Sequence, residues 1–167
     1  ALYNILGEIY YGDVTRYHSR IKPERRKKEL LFDFLQGKRK IMISTSAFSM
    51  GIDVSDIELV VHFNAPISMT DYIQQIGRAG RDGRKAHCVL FYDQNGDDEA
   101  ISNSFIKKAK KQSAKAAKMI KSKLNQVHNF IYSDNCMVCD ILEYQGQHEA
   151  KTCKRCTICA QKRRNSK

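Results

Sequence analysis

Short runs rich in β-branched and aromatic residues alternate with helical patterns over residues 1–94, and this alternation restricts the fold more than any other feature. The runs are KIMIST (40–45), IELVVHF (57–63), HCVLFYD (87–93) and a fourth candidate, GDVTRYHS (12–19). Each is too short for an ordinary helix. Strands that alternate with helices need crossover connections, which produce a parallel sheet. We therefore predict an α/β fold with a parallel sheet flanked by helices.

Two helical segments separate these runs. The first, KPERRKKELLFDFLQG, has Pro23 near its start and Gly37 as a stop signal. The second, SMTDYIQQIGRAG, has two candidates for its N-cap, Ser68 and Thr70. Because ligands of such sheets bind beyond the carboxyl ends of strands, STSAFSMGID (44–53) is predicted to lie on the functional edge.

The pattern changes near residue 95. From 101 to 132 apolar residues recur at helical spacing, which predicts one long helix or two helices with a break around Gln112 and Ser113. Eight lysines between 107 and 123 make the other face basic, and such a face is more often solvated surface than a binding site. We predict a mostly helical subdomain over 95–162 and a disordered basic tail over 163–167, within KRRNSK.

The chain of 167 residues has 29 Lys and Arg against 18 Asp and Glu, a net charge of +11. An excess of this size concentrates polyanions, so nucleic acid is the expected partner and a solvated basic surface is the alternative. No apolar run approaches the roughly 18–20 residues that a membrane span needs. No secretory signal opens the chain, and its first residue is Ala1, so we expect a piece of a longer cytoplasmic or nuclear protein.

Five of the six cysteines lie between residues 136 and 159, in CMVC and CKRCTIC. Thiols at intervals of three can turn towards one tetrahedral Zn²⁺, and a site with four thiolates is structural because no position stays open. Four ligands are needed and five are available, and the spacing does not choose between Cys136 and Cys139. Buried cysteines without metal are the alternative.

Four features, in their order along the chain, resemble the RecQ family of DNA helicases, in helicase superfamily 2. YHS (17–19) before a charged helix resembles a conserved Y-H-A/S segment, and STSAFSMGID resembles the fifth helicase motif. YIQQIGRAGRDG (72–83) fits the sixth motif, Y-x-Q-x-x-G-R-A-G-R-D-G, at every fixed position. The one-plus-three cysteine pattern completes the match. The departures are Ser46 and Ser49 in the fifth motif, and Met137 and Val138 after the first zinc cysteine.

The resemblance implies that residues 1–94 form a second RecA-like motor lobe, followed by a zinc-binding subdomain. It implies four zinc ligands: Cys136, Cys153, Cys156 and Cys159. Arg81 matches the arginine finger that stabilises the γ-phosphate during transfer, Arg78 is its companion, and Gln74 matches the glutamine that couples the nucleotide site to motif five. Gly77 and Gly80 are interpreted as leaving room for the nucleotide.

Further roles follow from the same alignment. Gly51 and Asp53 are expected to lie beside the nucleotide, and Thr45 to contact a DNA phosphate through its hydroxyl and backbone N–H. His18 is expected to bind DNA or, alternatively, to be a packed strand-end histidine. ATP and Mg²⁺ would be held mainly by the N-terminal RecA-like lobe of the same protein. The expected activity is 3′ to 5′ unwinding of DNA at single strands and duplex junctions in repair and recombination, in a bacterial nucleoid or a eukaryotic nucleus.

The chain contains neither a G-x-x-x-x-G-K-[ST] loop nor a D-E-x-H motif, so we expect it to hydrolyse no ATP by itself. Three other functions are compatible with parts of the sequence: a non-enzymatic, zinc-stabilised DNA-binding module, an RNA helicase of the same superfamily, and an interaction scaffold derived from an inactive paralogue.

Overall fold

In the computed structural model, residues 2–45, 54, 56–147 and 152–166 are described. The chain divides into two compact units, Ala1–Asp56 and Ile57–Lys167. Parallel strands flanked by helices, followed by a helical region, confirm the predicted α/β fold class. Among the described residues, no helix combines the length and the apolarity needed to cross a membrane.

The first unit is built around one pair of parallel strands. Its elements are α1 (Leu2–Ile9), β1 (Val14–Tyr17), α2 (Glu24–Leu35) and β2 (Ile41–Ser44). Helix α2 connects β1 to β2. The register of this strand pair runs from Val14 opposite Ile41 to Tyr17 opposite Ser44. The fourth candidate strand, GDVTRYHS, contains β1 and is therefore confirmed.

Helix α2 begins and ends at the predicted signals. Pro23 is its N-cap residue, and Gly37, just beyond the helix, has φ +68°. A residue in the left-handed region commonly ends a helix, and glycine adopts it without steric cost. Ion pairs inside the helix, such as Arg25 with Glu29 at 3.1 Å and Lys27 with Glu24 at 3.3 Å, offset its dense positive charge.

The second unit contains a separate pair of parallel strands and most of the helices. Its elements are β3 (Leu59–His62), α3 (Met69–Ile76), β4 (His87–Leu90), α4 (Asp97–Lys110), α5 (Ala114–Ile131), α6 (Met137–Tyr144) and α7 (Thr157–Asn165). The β3–β4 register runs from Leu59 opposite His87 to His62 opposite Leu90. Helix α3 is the crossover connection that parallel pairing requires.

Serine side chains cap two of these helices. Ser68, rather than Thr70, is the N-cap of α3, and its hydroxyl oxygen accepts the backbone N–H of Asp71 at 3.1 Å. Ser113 caps α5 and accepts the N–H of Ala116 at 3.0 Å. An N-cap serine favours the start of a new helix over continuation of the preceding one. The long basic segment is therefore two helices with a break at 111–113, as the second of the two predictions had it.

The prediction of disorder at the C-terminal end is wrong over residues 162–165. Helix α7 extends through Lys162, Arg163 and Arg164 to Asn165. Lysine and arginine are good helix formers, and cations in the last turn interact favourably with the negative end of the helix dipole. High charge density was therefore a poor indicator of disorder here.

A core cluster of the described residues joins α3, α5 and α6 of the second unit. Met69 and Tyr72 of α3 pack with Val127 and Phe130 of α5, and all four are at most 6% exposed. The rings of Tyr72 and Phe130 lie 5.3 Å apart. Burial raises the pKa of Tyr72 to about 12, so its hydroxyl stays protonated. The domain boundary predicted after residue 94 falls inside this unit, and residues from both sides of it form the core.

Asp98 links the loops that follow both strands of the second unit. Its carboxylate is 3% exposed and accepts the backbone N–H of Ala65 at 2.7 Å and that of Asp93 at 2.9 Å. The first N–H lies after β3 and the second after β4. One side chain at the start of α4 therefore satisfies two backbone donors and fixes both strand ends.

We expect Asp98→Ala to lower the free energy of unfolding by about 2–4 kcal/mol, because two backbone N–H groups lose a charged acceptor. Asp97→Ala is the matched control, since Asp97 is exposed in the same helical turn and its loss removes a similar dipole interaction. Urea unfolding followed by circular dichroism measures both. Equal destabilisation by the two variants would contradict this role of Asp98.

Candidate functional site

The two arginines of the sixth motif lie in the loop that follows α3. Helix α3 ends at Gly77, its C-cap residue, and the loop continues through Arg78, Gly80 and Arg81. The N–H of Gly80 donates to the carbonyl of Ile57 at 3.0 Å, next to a parallel bridge between Ile57 and Ala79. These bonds hold the arginine loop, residues 77–84, against the chain just before β3.

Gly80 is required by the conformation of the arginine loop. Its φ is +67°, and an added Cβ would lie 2.9 Å from the carbonyl oxygen of Arg84 and 3.2 Å from the Cβ of Ala86. The sequence interpretation gave this glycine the purpose of leaving room for a nucleotide. The structure gives it a reason that involves no ligand: only glycine fits the turn without strain.

The side chains of Arg78 and Arg81 differ in exposure. Arg81 is exposed, and its Nε donates to the carbonyl of Gly77 at 3.1 Å, whereas Arg78 is half-buried. The acidic member of the loop, Asp82, accepts the Nε of Arg84 at 2.6 Å and its backbone N–H at 3.0 Å. These bonds to Arg84 lower the pKa of Asp82. The arginine loop thus carries the guanidinium groups of Arg78 and Arg81, while its carboxylate, Asp82, is hydrogen-bonded to Arg84.

Sequence reasoning missed the bond between His62 and Gln75. The predicted coupling residue, Gln74, is exposed on α3, while the neighbouring Gln75 oxygen lies 2.7 Å from Nε2 of His62. His62 is buried at the end of β3, with its ring 5.2 Å from that of Tyr72. Burial lowers the pKa of His62, although the bond to Gln75 opposes this shift, so the ring is neutral near pH 7. The sequence signal that could have indicated this bond is the histidine at the end of an apolar strand.

His18 and Thr45 follow the last registered pair of the β1–β2 ladder, Tyr17 and Ser44. The Nδ1 of His18 accepts the N–H of Arg20 at 3.2 Å, which leaves Nε2 to carry the proton in the neutral ring. Thr45 is exposed, but its N–H donates to the carbonyl of Tyr17 at 3.3 Å. Of the two groups expected to contact a phosphate, the hydroxyl is therefore the better candidate. Gly51 and Asp53 lie outside the described residues.

Four cysteines converge in the second unit: Cys136, Cys153, Cys156 and Cys159. Their Sγ atoms all lie within 4.8 Å of one another. The sulfurs of Cys136 and Cys156 are 3.9 Å apart, and those of Cys153 and Cys159 are 4.0 Å apart. A tetrahedron with metal–sulfur bonds of about 2.3 Å has edges of about 3.8 Å. The four thiols therefore fit a tetrahedral metal ion.

Backbone N–H groups already point at these sulfurs. Burial raises the pKa of Cys136, but the N–H groups of Cys139 and Cys153 and thiol contacts outweigh it, so that its pKa is lowered to about 6. Burial and neighbouring thiols raise the pKa of Cys153 to about 11, against the opposing N–H groups of Arg155 and Cys156. Four adjacent thiolates repel one another unless a cation neutralises them, which is the task of a metal ion.

Cys139 is not a member of the group of four. Its N–H faces the sulfur of Cys136, and burial followed by the thiol and charge of Cys136 raises its pKa to about 11. Cys136 is the N-cap residue of α6 and Cys139 lies within that helix. The two thiols therefore have different surroundings, although both fall in the same C-x-x-C sequence.

Comparison with known proteins relates this chain to helicases. A family described as the helicase conserved C-terminal domain matches residues 4–83, which include the arginine loop through Gly83. ATP-dependent DNA helicase RecQ of Bacillus subtilis is 34% identical over 148 residues, 89% of this chain and 24% of that protein. A protein of Acanthamoeba polyphaga mimivirus named as an ATP-dependent RNA helicase is 33% identical over 143 residues, 86% of this chain and 25% of that protein.

Among solved structures, the yeast DEAD-box splicing factor Prp28 matches with a TM-score of 0.50 and 28% identity, over 74% of this chain and 28% of that one. The chain spans about a quarter of the length of the curated relatives described above. The similarity therefore covers most of this chain but only one part of each relative.

We expect Gly80→Ala to destabilise the protein by about 2–3 kcal/mol, because it adds a steric clash to the cost of a left-handed alanine. Gly83→Ala is the control: Gly83 has φ +80° in the same loop, but an added Cβ would meet nothing within 4 Å. It should lose only about 1 kcal/mol. Thermal unfolding of both variants compares them, and an equal loss would contradict the close packing at Gly80.

Proposed function

Since this chain belongs to the RecQ family of DNA helicases, we propose that it forms the second motor lobe and zinc-binding subdomain of an enzyme that couples ATP hydrolysis to DNA unwinding. The observation that carries the proposal is the arginine loop. Its sequence fits the sixth helicase motif, and hydrogen bonds to Ile57 and a conformationally required Gly80 define its backbone. A defined backbone limits the positions that Arg78 and Arg81 can take, as a charge-stabilising site requires.

In the proposed mechanism Arg81 is the arginine finger. Phosphoryl transfer spreads negative charge over the equatorial oxygens of the γ-phosphate, and a guanidinium group supplied from another lobe stabilises that charge by a factor of about 10³–10⁵ in rate. The exposed position of Arg81 and the bond from its Nε to Gly77, which limits side-chain rotation, support this role. Arg78 adds a second positive charge, and Gln74 couples the nucleotide site to the fifth motif.

The N-terminal RecA-like lobe of the same protein completes the nucleotide site in this proposal. The present chain has no G-x-x-x-x-G-K-[ST] sequence, so the ATP phosphates and Mg²⁺ are held mainly by that lobe. Gly51 and Asp53 are proposed to lie beside the nucleotide, with the Asp53 carboxylate accepting from a ribose hydroxyl. The chain alone then contributes the arginines but lacks the group that binds the phosphates.

Thr45 and His18 are proposed to hold a phosphate of the DNA strand. Both follow the paired ends of β1 and β2, and parallel sheets gather ligand contacts at that edge. A nucleotide that binds the closed arrangement of the lobes more tightly would draw them together, and hydrolysis would release them. Repeated closure and release, with phosphate contacts made alternately by the two lobes, would move the strand. The 3′ to 5′ direction and a role in repair and recombination are proposed from the family.

The four-cysteine cluster is proposed to hold a structural zinc ion. The sulfur separations of 3.9 and 4.0 Å support tetrahedral coordination, and four thiolates leave no position for substrate. The ion would join the start of α6 to the start of α7, a helix that has few apolar residues of its own. Metal binding would therefore supply part of the free energy of folding in this region.

A zinc-stabilised DNA-binding module without ATPase activity remains the second candidate function, and the excess of positive charge favours it. The relative named as an RNA helicase makes RNA the alternative nucleic acid for a motor. A requirement for Arg81 in turnover separates a motor from a binding module, and comparison of DNA with RNA as the cofactor separates the two kinds of motor.

We expect Arg81→Ala to lower kcat of DNA-stimulated ATP hydrolysis by about 10³-fold, in the protein that also carries the phosphate-binding lobe, with a much smaller change in KM. Arg84→Ala removes the same charge from the same loop and should retain most of the activity. Steady-state ATPase assays with DNA or RNA as cofactor measure both variants. Unchanged kcat in Arg81→Ala, or DNA-stimulated hydrolysis by the 167-residue chain alone, would contradict the proposal.

We expect Cys136→Ser to lose bound zinc and to melt at a lower temperature, because three thiolates hold the ion less tightly than four. Cys139→Ser, three residues away in the same motif, should keep about one zinc per chain. Elemental analysis and thermal unfolding test both variants. Loss of zinc from Cys139→Ser together with its retention in Cys136→Ser would reverse the ligand assignment.

A further inference from the structure

Eight lysines meet where α4 and α5 are joined, and we name them the lysine surface. Four lie at the end of α4: Lys107, Lys108, Lys110 and Lys111. Four lie in the first ten residues of α5: Lys115, Lys118, Lys121 and Lys123. All eight are exposed. Because the helices pack together across a turn of three residues, 111–113, both sets project from the same end of a helical hairpin.

The lysine surface lacks the neutralisation that the other basic helix has. In α2, Glu24 and Glu29 form ion pairs with three neighbouring cations. Between residues 100 and 133 there is no aspartate or glutamate. Across the described ranges, the salt bridges likewise involve other residues than these eight lysines. Glu99 lines the same cavity as Lys121, so most of this positive charge, that of the other seven lysines, is available to an external anion.

The arrangement opposes folding of the hairpin. Lys107 with Lys111 and Lys118 with Lys121 are like charges at helical spacings of four and three, which repel each other. Lys115 lies in the first turn of α5, where no acidic residue accompanies it and the helix dipole disfavours a cation. A bound polyanion would relieve all of these repulsions at once, so the lysine surface is complementary to a dense array of negative charges.

The composition of the lysine surface favours double-stranded over single-stranded nucleic acid as the polyanion. There is no phenylalanine, tyrosine or tryptophan between residues 106 and 129. The rings that line a cavity with Lys121, those of Tyr92 and His128, pack against each other and against Tyr132, so the eight lysines are not interleaved with stacking rings. Proteins that bind single strands combine positive charge with such rings. Lysines alone contact phosphates as point charges, and duplex DNA presents about one phosphate charge per 1.7 Å of helix axis while its bases stay stacked.

We propose that the lysine surface binds the phosphodiester backbone of double-stranded DNA without sequence preference. Its residues differ from Thr45 and His18, which belong to the other unit. It requires no ATP and no arginine finger, so it stands whether or not the proposed ATPase activity is found. In a motor it would hold the duplex that is to be unwound.

The test uses the 167-residue chain and a fluorescein-labelled duplex of mixed sequence, with binding followed by anisotropy over a range of salt concentrations. Replacement of Lys115, Lys118, Lys121 and Lys123 by glutamine should weaken duplex binding by at least about tenfold and reduce the slope of log K against log salt by about 3 to 4. The control replaces four exposed lysines of the first unit by glutamine and should change affinity by less than about threefold; these are Lys22, Lys28, Lys38 and Lys40.

Thermal unfolding at low salt separates binding from folding. Glutamine and lysine have similar helix propensities, and the α5 variant relieves repulsion, so its melting temperature should equal or exceed that of the original chain. A lower melting temperature would assign these lysines a structural role and overturn the proposal. Identical binding of the α5 variant and the original chain, or equal losses in the two variants, would also overturn it.

Competition experiments identify the class of partner. An unlabelled duplex should displace the labelled one at lower concentration than the same length of single strand, and poly-glutamate should displace it poorly. Stronger competition by the single strand would contradict the duplex assignment. Displacement by poly-glutamate as effective as that by duplex would indicate an acidic protein as the partner and would overturn the proposal.

Discussion

The packing of Tyr72 against Phe130 is the contact on which the second unit depends. Tyr72 belongs to the helix that leads into the arginine loop, and Phe130 belongs to the helix that carries half of the lysine surface. Met137 and Ile141 of α6 pack against the same core, directly after Cys136. Burial of large aromatic side chains contributes more stabilisation than the individual polar contacts around them. The arginine loop, the first cysteine of the cluster and the α5 half of the lysine surface therefore adjoin helices that share one core.

Positive charge is managed differently in the two basic helical regions. Glutamates at positions three or four residues away offset the cations of α2, so that its surface is nearly balanced within the helix. The α4–α5 hairpin instead confines its acidic residues to Asp97, Asp98 and Glu99, at the opposite end of α4. The net charge of the chain conceals this difference. Its distribution, rather than its size, distinguishes a solvated helix from a surface complementary to DNA.

Local sequence patterns predicted the four strands, their parallel pairing and helices α2 to α5, because strand and helix periodicities differ and glycine, proline and serine mark the ends. They did not predict α1, α6 or α7 individually. Residues distant in sequence explain what was missed: Gln75 meets His62, and Asp98 meets Ala65, through contacts that no local pattern specifies. The choice between Cys136 and Cys139 has the same origin, since both lie in one C-x-x-C segment and only the fold separates their thiols. The resemblance to a family supplied that choice, and supplied the expected roles of Arg78, Arg81 and Gln74, which stay predictions.

The carboxylate of Asp98 also restricts how this protein can vary in length. One oxygen receives a donor from the loop after β3, and the other receives a donor from the loop after β4. An insertion or deletion between His62 and Ala65, or between Leu90 and Asp93, would shift one of these donors away from its acceptor. Related proteins that keep the acid should therefore conserve both of these intervals and accumulate their insertions elsewhere.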